Sequence, residues 1–147
     1  MKTVIRNILA LVVGLPFGGV VNMALVMVGP RLVPPPPGVN MSDANSLSAS
    51  VHLLEPKHFL FPFLAHAVGT LAGAALAYLV AASRRAAFGF VVGAFFLAGG
   101  IAAAFLIPAP RWFIAADLLL AYLPMAWLGN GLARRICGEQ RAAGGAG

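Results

Sequence analysis

The sequence predicts an all-α protein, an integral membrane four-helix bundle with one long outer loop that carries a short interfacial helix. Three observations predict this class. Hydrophobic residues make up 61% of the 147 residues and charged residues 10%, whereas a soluble domain is about 45–50% apolar and about 25% charged. Four apolar stretches each approach the roughly 20 residues that an α-helix needs to cross a hydrocarbon core. Basic residues fall almost wholly at the ends of these stretches.

The four predicted spans lie at about residues 8–28, 59–82, 87–107 and 113–132. With the outer loop at residues 29–58 they form one predicted domain, residues 1–135, and residues 136–147 are predicted to be a short cytoplasmic tail. Pro16 and Pro124 fall inside the first and fourth spans. We expect a local kink at each, because proline removes a backbone hydrogen bond from a helix.

The distribution of basic residues predicts the orientation. Ten Lys and Arg against four Asp and Glu give a formal net charge of +6. Seven of the ten lie at the N-terminus, in the loop between spans two and three, and at the C-terminus: Lys2, Arg6, Arg84, Arg85, Arg134, Arg135 and Arg141. The other three, Arg31, Lys57 and Arg111, lie in the first and third loops. Because cytoplasmic segments are enriched in Lys and Arg, we expect both termini in the cytoplasm, and this use of the charges argues against nucleic acid as a partner.

The outer loop contains its own structural signals. Four prolines at residues 34–37 favour a stiff polyproline II spacer. Asp43 is a suitable N-cap for a short helix that Pro56 would end. The apolar residues of that helix recur on one face: Leu47, Val51 and Leu54. We expect the helix to lie on the outer membrane surface, with an irregular loop as the alternative.

The second span carries small residues at four-residue spacing: Ala65, Gly69, Gly73 and Ala77. Helices in lipid associate through close backbone approach, which small residues on one face permit. We therefore expect this face to be the tightest seam of the bundle. The contact would lie within one chain or, as the alternative, between the copies of a homo-oligomer.

Four polar residues fall in the halves of the spans nearest the outer side: Asn22, His66, Thr70 and Asp117. Counted from the basic residue at the end of each span, Asn22 and His66 lie nine residues inside and Asp117 lies six inside. Similar depth predicts that His66 and Asp117 interact, directly or through one water, because an unpaired polar group in hydrocarbon is costly. The layer is interpreted as a structural cluster or as a ligand, ion or proton site.

His52, Glu55 and His58 in the outer loop form a second, weaker candidate site, for a metal ion. Imidazole and carboxylate ligands together suit zinc or copper. Pro56 interrupts any helix before His58, so the three need not converge, and the alternative is that they are solvated loop residues. The single cysteine, Cys137, excludes an intramolecular disulfide. No hydrolase or nucleotide-binding motif occurs, and the sequence identifies no cofactor.

Several segments together carry a resemblance to a family. They are PPPPGV at 34–39, LLEPKHF at 53–59, PF at 62–63, AHA at 65–67, GTL at 69–71 and AYLPMAWLG at 121–129. In these segments, which are distributed over most of the chain, the protein resembles a group of small four-helix proteins of the bacterial inner membrane. The resemblance implies that location, but it implies no activity, cofactor or catalytic residue.

Three functional hypotheses follow. The first is a binding or accessory role in the bacterial inner membrane, for example as a small subunit of a larger assembly, with lipid and a protein or a second copy as partners. The alternative is a small oligomeric transporter, or an ion- or proton-conducting protein, that uses Asn22, His66 and Asp117. The third is a metal-binding membrane protein or enzyme that uses four residues, His52, Glu55, His58 and His66.

Overall fold

The computed structural model describes residues 1–41 and 43–144, and this part of the chain is helical without any strand. The α-helices are α1 (Lys2–Leu32), α2 (Ala44–Ser50), α3 (Leu60–Val80), α4 (Arg85–Leu106), α5 (Arg111–Leu120) and α6 (Leu123–Gly144). Two short 3-10 turns, Val51–Leu53 and Pro56–Phe59, connect α2 to α3. The prediction of an all-α chain is confirmed.

Four helical segments are long and apolar enough to cross a membrane: Lys2–Leu32, Pro56–Val80, Arg85–Leu106 and Arg111–Gly138. They overlap the four predicted spans, so the predicted number of membrane-length helices is confirmed. The first segment is longer than predicted at both ends, because the helix continues through the polar and basic residues that flank its apolar stretch. The helix α6 also continues through most of the predicted tail, and residues 145–147 lie outside the described residues.

The helix α3 lies at the centre of the bundle and packs against α1, α4 and α6. The start of α1 lies beside the end of α3, since the Arg6 guanidinium donates to the Val80 carbonyl oxygen at 3.1 and 3.3 Å. The Asn7 side chain accepts the backbone N–H of Ala82 at 3.0 Å. These bonds satisfy backbone groups where α3 ends, which a helix terminus otherwise leaves unpaired. We call this end of the bundle the arginine end.

Glycines allow α1 and α3 to approach closely. A Cβ added to Gly18 would lie 2.7 Å from the Gly69 carbonyl oxygen, and one added to Gly73 would lie 2.8 Å from the Gly14 carbonyl oxygen. These distances leave no space for any side chain. The four small residues singled out on α3 are all buried: Ala65, Gly69, Gly73 and Ala77. Their face therefore packs within the chain, against α1.

The fourth membrane-length segment is interrupted. The helix α5 ends at Leu120, and Ala121 and Tyr122 separate it from α6. Pro124 explains the interruption, because it has no N–H to donate and its ring would clash with the carbonyl group of Leu120, four residues earlier. Pro16, in contrast, lies inside α1, which continues past it as one helix.

The segment between α1 and α3 folds over the opposite end of the bundle, which we call the loop end. Asp43 caps α2, since its Oδ1 accepts the Ser46 N–H at 2.7 Å. The helix α2 ends at Ser50, earlier than the pattern of apolar residues predicts, and a 3-10 turn follows. The buried His58 ties the segment together: its Nδ1 accepts the Glu55 N–H at 2.9 Å, and its Nε2 donates to the Pro34 carbonyl oxygen at 3.1 Å.

Candidate functional site

Three side chains form a hydrogen-bonded cluster where α3 meets α5 and the interruption before α6. His66 Nδ1 lies 2.8 Å from Asp117 Oδ1. The Tyr122 hydroxyl donates to Asp117 Oδ2 at 2.8 Å. The rings of His66 and Tyr122 are stacked, with centroids 5.7 Å apart. Each carboxylate oxygen of Asp117 therefore has its own partner, and we call His66, Asp117 and Tyr122 the polar triad.

The interruption between α5 and α6 brings Tyr122 into the polar triad. In a continuous helix, residues five apart do not lie on one face, because neighbours on the helix surface are three or four residues apart. The turn at Ala121 and Tyr122 changes the direction of the chain, so that the hydroxyl returns to Asp117. Gly100 of α4 provides the space, since a Cβ there would collide with the Tyr122 hydroxyl. The sequence analysis does not predict Tyr122 as a member of the site. The signal that could have indicated it is its position two residues before a helix-breaking proline.

Burial differs within the polar triad. Asp117 and Tyr122 are 5% and 2% exposed as whole residues. Compared by side chain alone, His66 is 27% exposed and Asp117 is 7% exposed. Within residues 1–41 and 43–144, the carboxylate of Asp117 forms an ion pair with His66 and with no lysine or arginine. Any charge on Asp117 is therefore balanced by the imidazole or left unbalanced.

Two members of the polar triad, His66 and Asp117, border a cavity of about 170 Å³ at the loop end. His66 and Asp117 are the polar residues in its lining, and the remaining lining is apolar. The helices α1, α3, α4 and α5 contribute the walls. The segment between α1 and α3 contributes five further residues, Met41, Leu47, Val51, Leu54 and Phe59. The apolar face predicted for the short loop helix thus lines this cavity.

The size of the cavity is sufficient for a ring. An apolar cavity of about 150 Å³ in another protein stays dry and binds benzene. The aromatic side chains of Phe59 and Phe113, whose ring centroids are 4.9 Å apart, both line the cavity. Because its volume is similar to that of the benzene-binding cavity, this cavity can hold a planar group of roughly six to eight heavy atoms.

Asn22 and Thr70 lie outside the polar triad. Asn22 packs against Gly69, where an added Cβ would lie 2.9 Å from the Asn22 Cβ. Thr70 is 1% exposed, and its hydroxyl has no hydrogen-bond partner among the described residues. Neither side chain is hydrogen-bonded to His66 or Asp117 in the described part of the chain. Of the four polar residues predicted in the outer halves of the spans, the structure joins two, His66 and Asp117.

The structure does not assemble His52, Glu55 and His58 as metal ligands. Both ring nitrogens of His58 are hydrogen-bonded to the backbone, and His52 is exposed. Glu55 is exposed, and the hydrogen bond and charge of Lys57, 3.0 Å away, hold the pKa of Glu55 below its usual value. No group of three or more His, Cys, Asp or Glu residues that could hold a metal occurs among the residues that the structure describes. His58 instead has a structural role in the loop.

No family model, curated protein or solved structure shows a significant match to this chain.

Proposed function

We propose that the protein is a bacterial inner-membrane protein that binds a small, largely apolar ligand in the cavity at the loop end. The observation that carries this proposal is the cavity itself, which has apolar walls and two polar residues, His66 and Asp117, in its lining. Small-molecule sites in proteins are mostly apolar and contain a few polar groups that orient the ligand. In this arrangement the walls hold the body of the ligand and His66 holds its polar end.

The empty space beside His66 favours a binding role over a purely structural one. Protein interiors are close-packed, and voids larger than a water molecule are few. A cluster that only joined helices would need no such space next to its exposed member. His66 also uses only Nδ1 in hydrogen bonds among the described residues, so Nε2 is available to a ligand.

Packing on the other side of the polar triad favours a closed binding site over a transport path. Between the polar triad and the arginine end, α3, α4 and α6 contribute side chains that are 0% exposed: Ala74, Ala77, Val92 and Ala126. A Cβ added to Gly93 would lie 2.6 Å from the Ala126 Cβ, so α4 and α6 are in close contact there. A conducting protein needs a continuous path through this region, which the close packing of these side chains opposes, whereas a binding protein needs none.

The proposed orientation places both termini in the cytoplasm and the cavity near the outer surface of the membrane. Its support is the position of the basic residues. Arg6 and Arg85 lie at the arginine end, where Arg6 contacts Val80 and Arg85 donates to Cys137 Sγ at 3.4 Å. A ligand would then reach the cavity from the outer leaflet or from the outer aqueous side.

A titration with an apolar ring tests the proposed function. The probe is α-methylstyrene, added to methyl-labelled protein in detergent micelles and followed by nuclear magnetic resonance. We expect saturable shifts of methyl groups that line the cavity, at Leu47, Val51 and Ile114, and weak, non-saturating shifts at the exposed Val12 and Ile101. Equal responses of the lining and exposed methyl groups would contradict a binding cavity.

A pair of variants on α4 separates the cavity from the lipid-facing surface. Ala104 lines the cavity, whereas Ala102 is exposed and does not. Ala104→Leu places three additional carbon atoms in the cavity and should abolish saturable binding. Ala102→Leu adds the same volume on the surface and should leave binding unchanged. Loss of binding in both variants would indicate that the probe binds elsewhere.

A further inference from the structure

We infer that the arginine end binds an anionic phospholipid, with its phosphate group at Arg134 and Arg135 and an acyl chain along the apolar residues that precede them on α6. This site is separate from the cavity at the loop end. The inference rests on the membrane location given in the proposed function, but not on the binding of a ligand in the cavity. Three observations support it: the charge of the arginine end, the face of α6 on which the two arginines lie, and a groove on that face.

The net positive charge of the protein is concentrated at the arginine end. The two termini and the loop between α3 and α4 contain seven of the ten basic residues and one acidic residue, Glu139. The rest of the chain contains three basic and three acidic residues, so the two signs cancel there. The structure brings the basic segments together, since Arg6 contacts the end of α3 and Arg85 of α4 contacts Cys137 of α6. Electrostatics therefore favour an anionic partner at this end.

Arg134 and Arg135 are available to such a partner. Arg6 and Arg85 donate hydrogen bonds within the bundle, whereas Arg134 and Arg135 are exposed and form no hydrogen bond or ion pair with any side chain that the structure describes. One carboxylate, that of Glu139, follows them in the sequence, and it can balance one of the two charges at most. A guanidinium group is always charged, and its planar set of N–H donors matches the oxygen atoms of a phosphate.

The two arginines lie on the face of α6 that points away from the bundle. The inward face contains Ala126, Asn130 and Ala133, which are at most 2% exposed. A groove of about 330 Å³ lies on the opposite face and is lined by Trp127, Leu128, Gly131, Leu132, Arg134 and Arg135. A Cβ added to Gly131 would have no atom of the described residues within 4 Å, apart from its own helix and chain neighbours. The groove is therefore accessible along the side of α6.

The groove combines a basic end with an apolar body, as a phospholipid site requires. It belongs to a segment, Arg111–Gly138, that is long and apolar enough to cross a membrane, and its apolar residues Trp127, Leu128 and Leu132 are exposed. Arg135 lies eight residues after Trp127, about 12 Å along the helix axis. A phosphate group bound by the arginines thus leaves an acyl chain beside the leucines. Basic pockets at the ends of membrane helices bind anionic head groups in this way, whereas free phosphate would contact the arginines alone.

The fluorescence of Trp127 tests the site directly. Trp112 is the other tryptophan, so Trp112→Phe leaves Trp127 as the single reporter. This variant is placed in phosphatidylcholine bilayers that contain increasing fractions of brominated phosphatidylglycerol or, separately, brominated phosphatidylcholine, because bromine quenches tryptophan only at short range. We expect the anionic lipid to be enriched beside Trp127 by roughly fivefold or more, the contribution of one arginine near an anionic lipid. Brominated phosphatidylcholine should quench in proportion to its fraction in the bilayer.

Equal quenching by the two lipids would overturn the inference and leave the proposed membrane location intact. Quenching by neither lipid would count against both. Inorganic phosphate, added at constant ionic strength, should not reduce the preference for phosphatidylglycerol. A preference that inorganic phosphate removes would overturn the assignment of the site to a lipid.

Two pairs of charge variants separate a local site from the overall charge. Arg134→Gln with Arg135→Gln should abolish the preference for phosphatidylglycerol. Arg31→Gln with Arg111→Gln removes the same charge from exposed residues at the loop end and should leave the preference unchanged. An equal loss in both double variants would show that lipid responds to net charge alone and would overturn the site.

A pair of glycine variants tests the groove without any change of charge. Gly131→Leu fills the groove and should lower the enrichment of phosphatidylglycerol beside Trp127 at least twofold. Gly138→Leu is the matched control, because a Cβ there also meets no other part of the described chain and Gly138 does not line the groove. Unchanged enrichment in Gly131→Leu would overturn the placement of the acyl chain along α6.

Discussion

At the scale of single residues, the polar triad depends on one position where no side chain fits. Gly100 contacts the Tyr122 hydroxyl so closely that even a methyl group would displace it. A Cβ added to the adjacent Gly99 would meet no other helix in the described part of the chain. We expect Gly100→Ala to lower the free energy of unfolding in detergent by about 1–3 kcal/mol, the usual cost of overpacking. Gly99→Ala is the matched control and should leave unfolding nearly unchanged; equal effects would show that Tyr122 is not held at Gly100.

A double-mutant cycle measures the energy of the His66–Asp117 contact. We expect the combined loss of stability in His66→Ala with Asp117→Ala to be smaller than the sum of the single losses, with a coupling of about 0.5–2 kcal/mol. Asn22→Ala with Asp117→Ala is the control, because no hydrogen bond joins these two side chains among the described residues. Additive losses in the first pair would mean that the 2.8 Å contact contributes nothing to stability.

The depth of each residue along its helix predicts the contact between His66 and Asp117, but it does not predict that Tyr122 joins them. Distance from the helix end is fixed by the rise per residue, so two residues at equal depth on neighbouring helices are expected to be close. Tyr122 reaches Asp117 only because the helix is interrupted, and Pro124 alone predicts a kink without giving its extent. Depth also does not specify which face of a helix a residue occupies. Asn22 was predicted at the depth of His66, but it packs against Gly69 and not against the polar triad.

At the scale of helices, the seam between α1 and α3 sets the position of α1. A Cβ on Gly18 would meet the Gly69 carbonyl oxygen at 2.7 Å and the Phe96 ring at 2.8 Å, and the backbone atom cannot move independently of α3. A Cβ added to the adjacent Gly19 would have no atom of the described residues within 4 Å, apart from its own helix and chain neighbours. We expect Gly18→Ala to lower the thermal stability in detergent and Gly19→Ala to leave it unchanged or slightly higher. Equal thermal stability of the two variants would contradict the close packing of α1 against α3 at Gly18.

His58 is expected to control the order of the segment that covers the cavity. It links the Glu55 N–H to the Pro34 carbonyl oxygen, whereas His52 is exposed. His58→Ala leaves two backbone groups without partners, so hydrogen exchange in α2 and the following turn should become faster by an order of magnitude or more, about the effect of losing 1–3 kcal/mol. His52→Ala should leave exchange unchanged. Unaltered protection in His58→Ala would show that the segment is held by its apolar contacts alone.

Local sequence signals predict the short helix in the segment between α1 and α3, but they do not predict where this segment lies relative to the bundle. Asp43 predicts the start of α2 because capping involves only neighbouring residues, and the hydrogen bond to Ser46 is present. The position of Leu47 beside a cavity that α1, α3, α4 and α5 also line depends on the tertiary fold, which no local pattern encodes. The sequence pattern predicts His58 as a metal ligand. The same spacing also suits a side chain that accepts a hydrogen bond from the backbone at the start of a helical turn, as His58 does from the Glu55 N–H.

At the scale of the whole molecule, the proposed orientation in the membrane is supported by the basic residues at the arginine end. We expect a cysteine introduced at the exposed Ala49 of α2 to react with a membrane-impermeant maleimide in intact cells, in a Cys137→Ser background. A cysteine at the exposed Gly138 of α6 should react only after the membrane is made permeable. The reverse pattern would invert the proposed topology and would place the cavity on the cytoplasmic side.

The most direct test of a ligand-sized cavity beside the polar triad is an experimental structure of crystals pressurised with xenon. Xenon occupies apolar cavities of this size without requiring any specific chemistry. We predict a xenon atom between Leu47 and His66 in the wild-type protein and none at that position in the Ala104→Leu variant. Continuous side-chain packing between α2 and His66, with no xenon in the wild-type protein, would contradict the account.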